Sequence, residues 1–226
     1  MATPPTRFVQ ALGLALDPAW RRRTGPERTS DWDAFSSTLA ADESLVTHTY
    51  STLGLRAGVD VLLWRLAPSL EVLERSAAAL LGSGTGRWLT ISHSFLGLIV
   101  PSQYVKRPTT QEQSMFTGER SKYLVVYPFT KDTAWYLMSQ SARQGVMNEH
   151  MRIGHDYPQV RQLLANSFGL DDMDFLVAYE TDDLPAFSQL VRDLRGTESR
   201  RSTVRDTPIL TAVHHSPQEI GELLGA

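Results

Sequence analysis

GLRAGVDVLLWRLAPSLEVLERSAAAL, residues 54–80, is echoed by GLDDMDFLVAYETDDLPAFSQLVRDLR, residues 169–195. Each starts with Gly-Leu, passes a turn and an aspartate, runs through an apolar strand and ends in an amphipathic helix. In the first, Pro68 marks the helix start, and Leu70, Leu73, Ala77 and Leu80 form one apolar stripe. In the second, Phe187, Leu190, Val191 and Leu194 do the same over 184–195. An internal echo of this length points to a duplicated supersecondary unit.

The flanking segments complete two copies of the same order. RFVQALGLAL (7–16) reads as a buried strand, and 31–41 has helical spacing through Trp32, Phe35 and Leu39. Strands follow at 48–57 and 59–67 around a turn at Ala57-Gly58, and then at 93–100. After a polar stretch, 122–129 is a strand, 139–153 a helix, 168–181 contains a strand, and 207–213 closes. The expected class is α+β, with two β-α-β-β-α-β, ferredoxin-like units whose antiparallel sheets pair into a dimeric α+β barrel. The join falls within 101–121, giving repeats at 1–112 and 113–226.

Composition narrows the function classes. Hydrophobic residues make up 42% and charged residues 21% of the 226, as in ordinary globular proteins. A net charge of −3 gives no whole-chain reason to expect nucleic acid or an anionic membrane. The chain has no cysteine, which excludes disulfides, thiolate metal sites, Fe–S clusters and cysteine nucleophiles, and is compatible with a cytoplasmic location. Gln10 interrupts the apolar run at 7–16, and no convincing cleavage site follows it, so a signal peptide is not expected. No apolar run approaches the ~20 residues that span a bilayer.

The glycine run GSGTG (82–86) follows a helix and opens a strand. A phosphate loop has the reverse order, so this run reads as a helix cap and turn. Arg21–Arg23 and the arginines at 195, 200, 201 and 205 read as solvated charge, the second group also being able to receive ligand carboxylates. His48, His93, His214 and His215 have strand or surface readings. In NEHMRIGHDY (148–157), His150 shares a helical face with Val146 and Ile153. A five-residue step turns a helix by ~500°, so His155 points about 140° away and the two cannot chelate one ion. A lone histidine can still anchor an iron already held by four porphyrin nitrogens. In YLVVYPFTK (123–131), Tyr127 and Lys131 put a phenol and an ammonium at the end of a strand.

YPFTKDTAWY, MNEHMRIGHDYP, SFGLDDMDFLVAYETDDLPAF and LVRDLRGTES, in this order and spacing, resemble the chlorite dismutase-like family of haem proteins, and within it the coproheme decarboxylases. The resemblance runs from DPAW (17–20) to RDTPILTAV (205–213). It implies a homopentamer of two-repeat barrels with a haem pocket in the C-terminal repeat. It implies His150 as axial iron ligand, Tyr127 and Lys131 as catalytic, and Gln162 with Leu163 in the distal pocket. It also implies Trp135 near the haem, Glu198 as the carboxylate orienting the imidazole, and Thr207 near a propionate. The implied activity is a peroxide-dependent decarboxylation in haem biosynthesis. Two propionates of iron coproporphyrin III, substrate and cofactor at once, become vinyl groups, giving haem b. The alternative is a haem-binding relative with a peroxidase-type, secondary-metabolic or sensing role. Chlorite dismutases carry a distal arginine near Gln162–Leu163. Here the nearby arginine is Arg161, which should point elsewhere in a regular strand. Some decarboxylases place a histidine upstream of the YP strand, and 108–121 has none. Lys106, Arg107 and Arg120 are candidate propionate anchors.

Overall fold

The computed structural model describes residues 7–100 and 119–226, which fall into two compact units. The first comprises residues up to Ile99 together with Thr211–Ala226, and the second runs from Val100 to Leu210. The join expected near 112 lies outside the described residues.

In the first unit the order is β1 (Arg7–Leu16), α1 (Gly25–Ala41), β2 (Val46–Ser51), β3 (Val61–Ala67), α2 (Leu70–Gly82) and β4 (Leu89–Ile99). All pairings are antiparallel and the strand order is β4-β1-β3-β2, the ferredoxin-like arrangement. Every residue of β3 is buried. Helix α1 starts six residues before the expected 31, because Thr24 and Glu27 form a capping box and Pro26 sits in the first turn. In α2 the buried stripe is Leu73, Ser76 and Leu80. Leu70, placed in the stripe by sequence, is the first helical residue after the Ser69 cap and lies 41% exposed. The glycine run is a packed turn: a Cβ on Gly86 would stand 1.8 Å from the Leu80 carbonyl oxygen.

Residues 211–226, expected with the second repeat, belong to the first unit. Strand β9 (Leu210–His214) extends the edge at β2, pairing Tyr50 with His214. A terminal helix, numbered α6 below (Pro217–Leu224), buries Ile220 and Leu224 beside Trp32, Phe35 and Leu80. The Trp32 indole donates to the Pro217 carbonyl at 2.9 Å. Ser216 and Glu219 form its capping box, a start signal present in SPQE but not read from the sequence.

The second unit runs β5 (Tyr123–Lys131), α3 (Thr133–Leu137), α4 (Gln140–His155), β6 (Arg161–Asn166), β7 (Phe175–Thr181), α5 (Leu184–Arg195), a 3-10 turn (Glu198–Ser202) and β8 (Thr203–Arg205). Its sheet has the order β6-β7-β5-β8, repeating the first unit's order with the short β8 in the fourth place. The duplicated ferredoxin-like α+β class is thus borne out in both units. Strand β6, like α3, β8 and the terminal helix, is an element that sequence periodicity does not yield. Six residues carry too little alternation, and pairing with β7 makes them a strand.

Registration fixes which side chains share a face. Tyr127 pairs with Val177, Val177 with Leu164, and Tyr179 with both Val125 and Gln162. Paired residues of neighbouring strands point to the same side. One face therefore presents Tyr127, Phe129, Val177, Tyr179, Gln162 and Leu164. Phe187, Leu190 and Leu194 of α5 and Ile153 of α4 pack with it. The opposite face presents Leu124, Val126, Leu176, Ala178, Leu163 and Ala165, all buried. It also presents Glu180, fully buried, whose carboxylate meets Arg161 at 3.0 Å and Arg120 at 3.4 Å.

Candidate functional site

Helix α4 is an uncommon helix for a folded unit. It begins at the Ser139 cap and runs sixteen residues, yet none of its side chains is fully buried. Ile153, near its C-terminus, joins the cluster over the sheet. The preceding turns carry Val146, Met147, His150 and Met151, all half-buried. The sheet face is also incompletely covered, with Tyr127, Phe129 and Gln162 half-buried and Leu164 41% exposed. Apolar and aromatic surface left open within one unit is what a flat apolar ligand requires.

His150 and His155 both lie within α4, so the helical angle between them applies, and His155 is exposed. The His150 Nδ1 lies 3.1 Å from the Ser199 hydroxyl. Glu198, expected as its carboxylate partner, instead turns outward, 3.3 Å from Arg201. The reason is local: in the 3-10 turn adjacent side chains diverge, and Ser199 is the one directed inward, 4% exposed. Burial, with a contribution from the Lys131 charge, pulls the His150 pKa down to about 4. The imidazole is therefore neutral near pH 7, as a metal ligand must be.

Lys131 ends β5 with 9% exposure. Its Nζ donates to the Ser199 carbonyl at 2.5 Å and sits 4.6 Å from the Trp135 ring centroid and 5.2 Å from that of Phe129. Burial lowers its pKa to about 8, against the pull of Asp132. Trp135 is buried because α3 starts at an Asp132 cap directly after β5, and the Asp132 carboxylate accepts from the Trp135 amide at 2.8 Å. Lys131, Trp135, Ser199 and His150 thus form one cluster. The Lys131 ammonium thus gives one of its three N–H groups to the turn that carries Ser199.

Tyr127 lies on the partly open face. Its ring stacks on Tyr179 with centroids 6.2 Å apart and planes at 27°. Burial and the Tyr179 phenol beside it hold the Tyr127 pKa well above that of an ordinary phenol. Tyr179 itself is raised to about 12 by burial, eased by its hydrogen bond with Tyr127. Tyr179 carries no distinguishing signal of its own; alternation within FLVAYET places it on the Tyr127 face only through the register with β5. Gln162 shares this face and Leu163 does not. Arg161 points to the other face, as a regular strand demands, and pairs with Glu180.

The remaining residues border the site or lie beyond it, the Arg195 and Asp206 charges acting on Tyr127 and that of Arg200 on Lys131. Thr207 is exposed, and its carbonyl accepts from Arg205 at 3.0 Å. Arg195 and Arg200 pair with Asp206, at 3.5 and 2.5 Å. Arg120 is engaged with Glu180, and Lys106 and Arg107 lie outside the described residues. No group of three or more His, Asp or Glu able to hold a metal occurs among the described residues. His150 would therefore serve an ion that brings its other ligands with it. Two cavities, of about 240 and 550 Å³, are lined by residues of the first unit and include none of these side chains. Among the described residues, no helix is long and apolar enough to cross a membrane.

An α+β unit with one half-buried histidine, a buried lysine beside it and a tyrosine on an open sheet face narrows the class of protein considerably. The family model described as chlorite dismutase matches residues 28–215, and the chain belongs to that family. It is similar to the coproheme decarboxylase of Mycolicibacterium smegmatis, with 28% identity over 219 residues, 95% of this chain and 92% of the relative. Among solved structures it is similar to a variant of chlorite dismutase from Candidatus Nitrospira defluvii, with a TM-score of 0.89, 26% identity and coverage of 99% of this chain and 97% of the other. It is also similar to chlorite dismutase from that organism in complex with imidazole, with a TM-score of 0.88, 25% identity and coverage of 99% and 97%.

Proposed function

We propose that this chain is a coproheme decarboxylase, a haem-dependent oxidoreductase of haem biosynthesis. The observation that carries the reading is the pairing, in one unit, of His150 on a helix with an open apolar face and Tyr127 on the partly uncovered sheet. The residues fit an iron porphyrin. His150 Nε2 is available to the metal, while Val146, Met151, Phe129 and Leu164 offer apolar surface to a macrocycle. The group would be iron coproporphyrin III, and when bound it supplies an oxidising centre in the presence of hydrogen peroxide.

The protein's part is to hold and to transfer hydrogen. Tyr127 gives up its phenolic hydrogen atom and regains one from the β-carbon of a propionate. A phenol held far above its usual pKa stays protonated until it is oxidised, so it moves a hydrogen atom rather than a bare proton. Loss of carbon dioxide, with the remaining electron passing to the oxidising centre, would then leave a vinyl group. For each propionate carboxylate, one peroxide and one proton are consumed, and one vinyl, one carbon dioxide and two waters form. Two rounds give haem b. Gln162, on the Tyr127 face, would orient peroxide, and Leu163, on the other face, would act only through the sheet. Thr207 would approach a propionate only by its exposed hydroxyl. Assembly as a homopentamer in the cytoplasm belongs to the same reading.

A second reading is a haem-binding member with peroxidase-type, secondary-metabolic or sensing activity. It is favoured by the lack of any histidine in 108–121, which leaves the segment directly before the Tyr127 strand without a basic imidazole. Chlorite dismutation has no support, since Arg161 is turned away from Tyr127. The test is direct. Apo-protein is mixed with iron coproporphyrin III, peroxide is titrated, and the porphyrin is followed by mass. Two successive decarboxylations are expected, and Tyr127→Phe should abolish them while sparing binding. Binding without mass loss favours the second reading.

A further inference from the structure

We infer that Ser199 and Thr197 form a hydroxyl relay that fixes which nitrogen of His150 carries the proton. The inference deepens the proposed function, resting on it only for the use made of the freed nitrogen. The distances run in sequence. His150 Nδ1 lies 3.1 Å from Ser199 Oγ, Ser199 Oγ lies 3.2 Å from Thr197 Oγ1, and Thr197 Oγ1 donates to the Leu194 carbonyl at 2.7 Å. A hydroxyl has one proton to give. Thr197 gives its proton to Leu194, so between Thr197 and Ser199 the donor is Ser199. Ser199 then has only lone pairs left for His150, and Nδ1 must donate. The imidazole is held with its proton on Nδ1 and a bare lone pair on Nε2.

Two features enforce the direction. Thr197 and Ser199 are 3% and 4% exposed, so water does not compete for their protons. The terminal acceptor, Leu194, lies in the last turn of α5, where carbonyls carry the negative end of the helix dipole. Lys131, donating to the Ser199 carbonyl, holds the relay's central residue in place. The acceptor facing the imidazole is a neutral hydroxyl and not a carboxylate. Ser199 is thus a positioning residue that orients a neutral imidazole without driving it toward imidazolate.

The test begins with apo-protein carrying 15N-labelled histidine, in which NMR distinguishes the two tautomers. The wild type should show His150 with its proton on Nδ1. Thr197→Val removes the acceptor of the Ser199 proton, so Ser199 can donate to Nδ1 and the His150 proton should move to Nε2. Thr197→Ser should restore the wild-type tautomer, and Ser199→Ala should abolish the preference. With iron coproporphyrin III, Thr197→Val and Ser199→Ala should each bind about tenfold more weakly. Ser199→Asp should shift the iron reduction potential negative. A wild-type protein with the proton on Nε2, or a tautomer indifferent to Thr197→Val, overturns the relay. The expected tautomer switch in a protein that binds no iron porphyrin upholds the relay and overturns the ligand reading alone.

Discussion

The Lys131 ammonium donates to the Ser199 carbonyl at 2.5 Å, and Ser199 in turn faces His150 through its hydroxyl. A lysine at the end of one strand therefore reaches the imidazole of a helix through a single residue of the 198–202 turn. Lys131→Met keeps the stem and removes the donor. The 198–202 turn should loosen, and iron-porphyrin binding should fall by about tenfold, the scale of lost outer-sphere support, as measured by absorbance titration.

The same lysine predicts a pH dependence. Its folded pKa of about 8 lies below the ordinary 10.5. Between these values the unfolded chain binds more protons than the folded one, so stability rises with pH across that window. The gain is complete above 10.5 and lost as pH falls to 8. At ~1.4 kcal/mol per unit it is on the order of 3 kcal/mol. The difference in unfolding free energy between wild type and Lys131→Met should therefore climb from pH 8 to 10.5, and a flat difference refutes the assignment. His150 runs the same way at lower pH. With a folded pKa of about 4 against 6.5, its contribution is whole above 6.5 and is lost as pH falls toward 4.

Gln162 and Leu163 are neighbours on opposite faces. Gln162→Arg should fold normally and put a guanidinium on the Tyr127 face. Leu163→Arg should place an unpaired charge among buried side chains and cost about 3 kcal/mol or more. Urea unfolding of the two variants reads the difference directly, and equal stabilities would show the β6 register to be wrong.

Glu180 is fully buried between Arg120 and Arg161. Glu180→Gln leaves two guanidinium groups without their carboxylate and should cost roughly 3–5 kcal/mol, the usual penalty for breaking a buried ion pair from one side. Chemical denaturation measures it.

Gly86 and Gly82 separate a packed turn from a ligand loop. Gly86→Ala drives a Cβ to within 1.8 Å of the Leu80 carbonyl oxygen, whereas Gly82→Ala meets nothing within 4 Å. The first should destabilise by about 1–3 kcal/mol and the second should leave stability unchanged or slightly raised. Thermal unfolding of both variants distinguishes these outcomes, and neither should alter porphyrin binding.

Much of this was legible in the chain. The echo between 54–80 and 169–195 was enough for the duplicated unit, because two amphipathic elements in a repeated order have few ways to bury their apolar sides. Strand β1 and helix α5 have the same bounds by periodicity and in the structure. Tyr127, Lys131, Trp135 and His150 could be named from residue type and spacing with the help of the family resemblance. Strand β6 could not, since its definition lies in its partner.

The sequence determined which residues could do chemistry. It could not decide where their polar atoms go, because that depends on contacts between segments far apart in the chain. Ser199 and not Glu198 meets His150, across 49 residues of sequence, since the 3-10 turn after α5 aims one side chain inward and its neighbour to solvent. Lys131 reaches Ser199 across 68 residues, a contact that no local pattern announces. Arg161 and Gln162 part company at a sheet face that only pairing with β7 defines. Local periodicity reports what is buried; the direction of a hydrogen bond is settled by the partner that tertiary structure supplies.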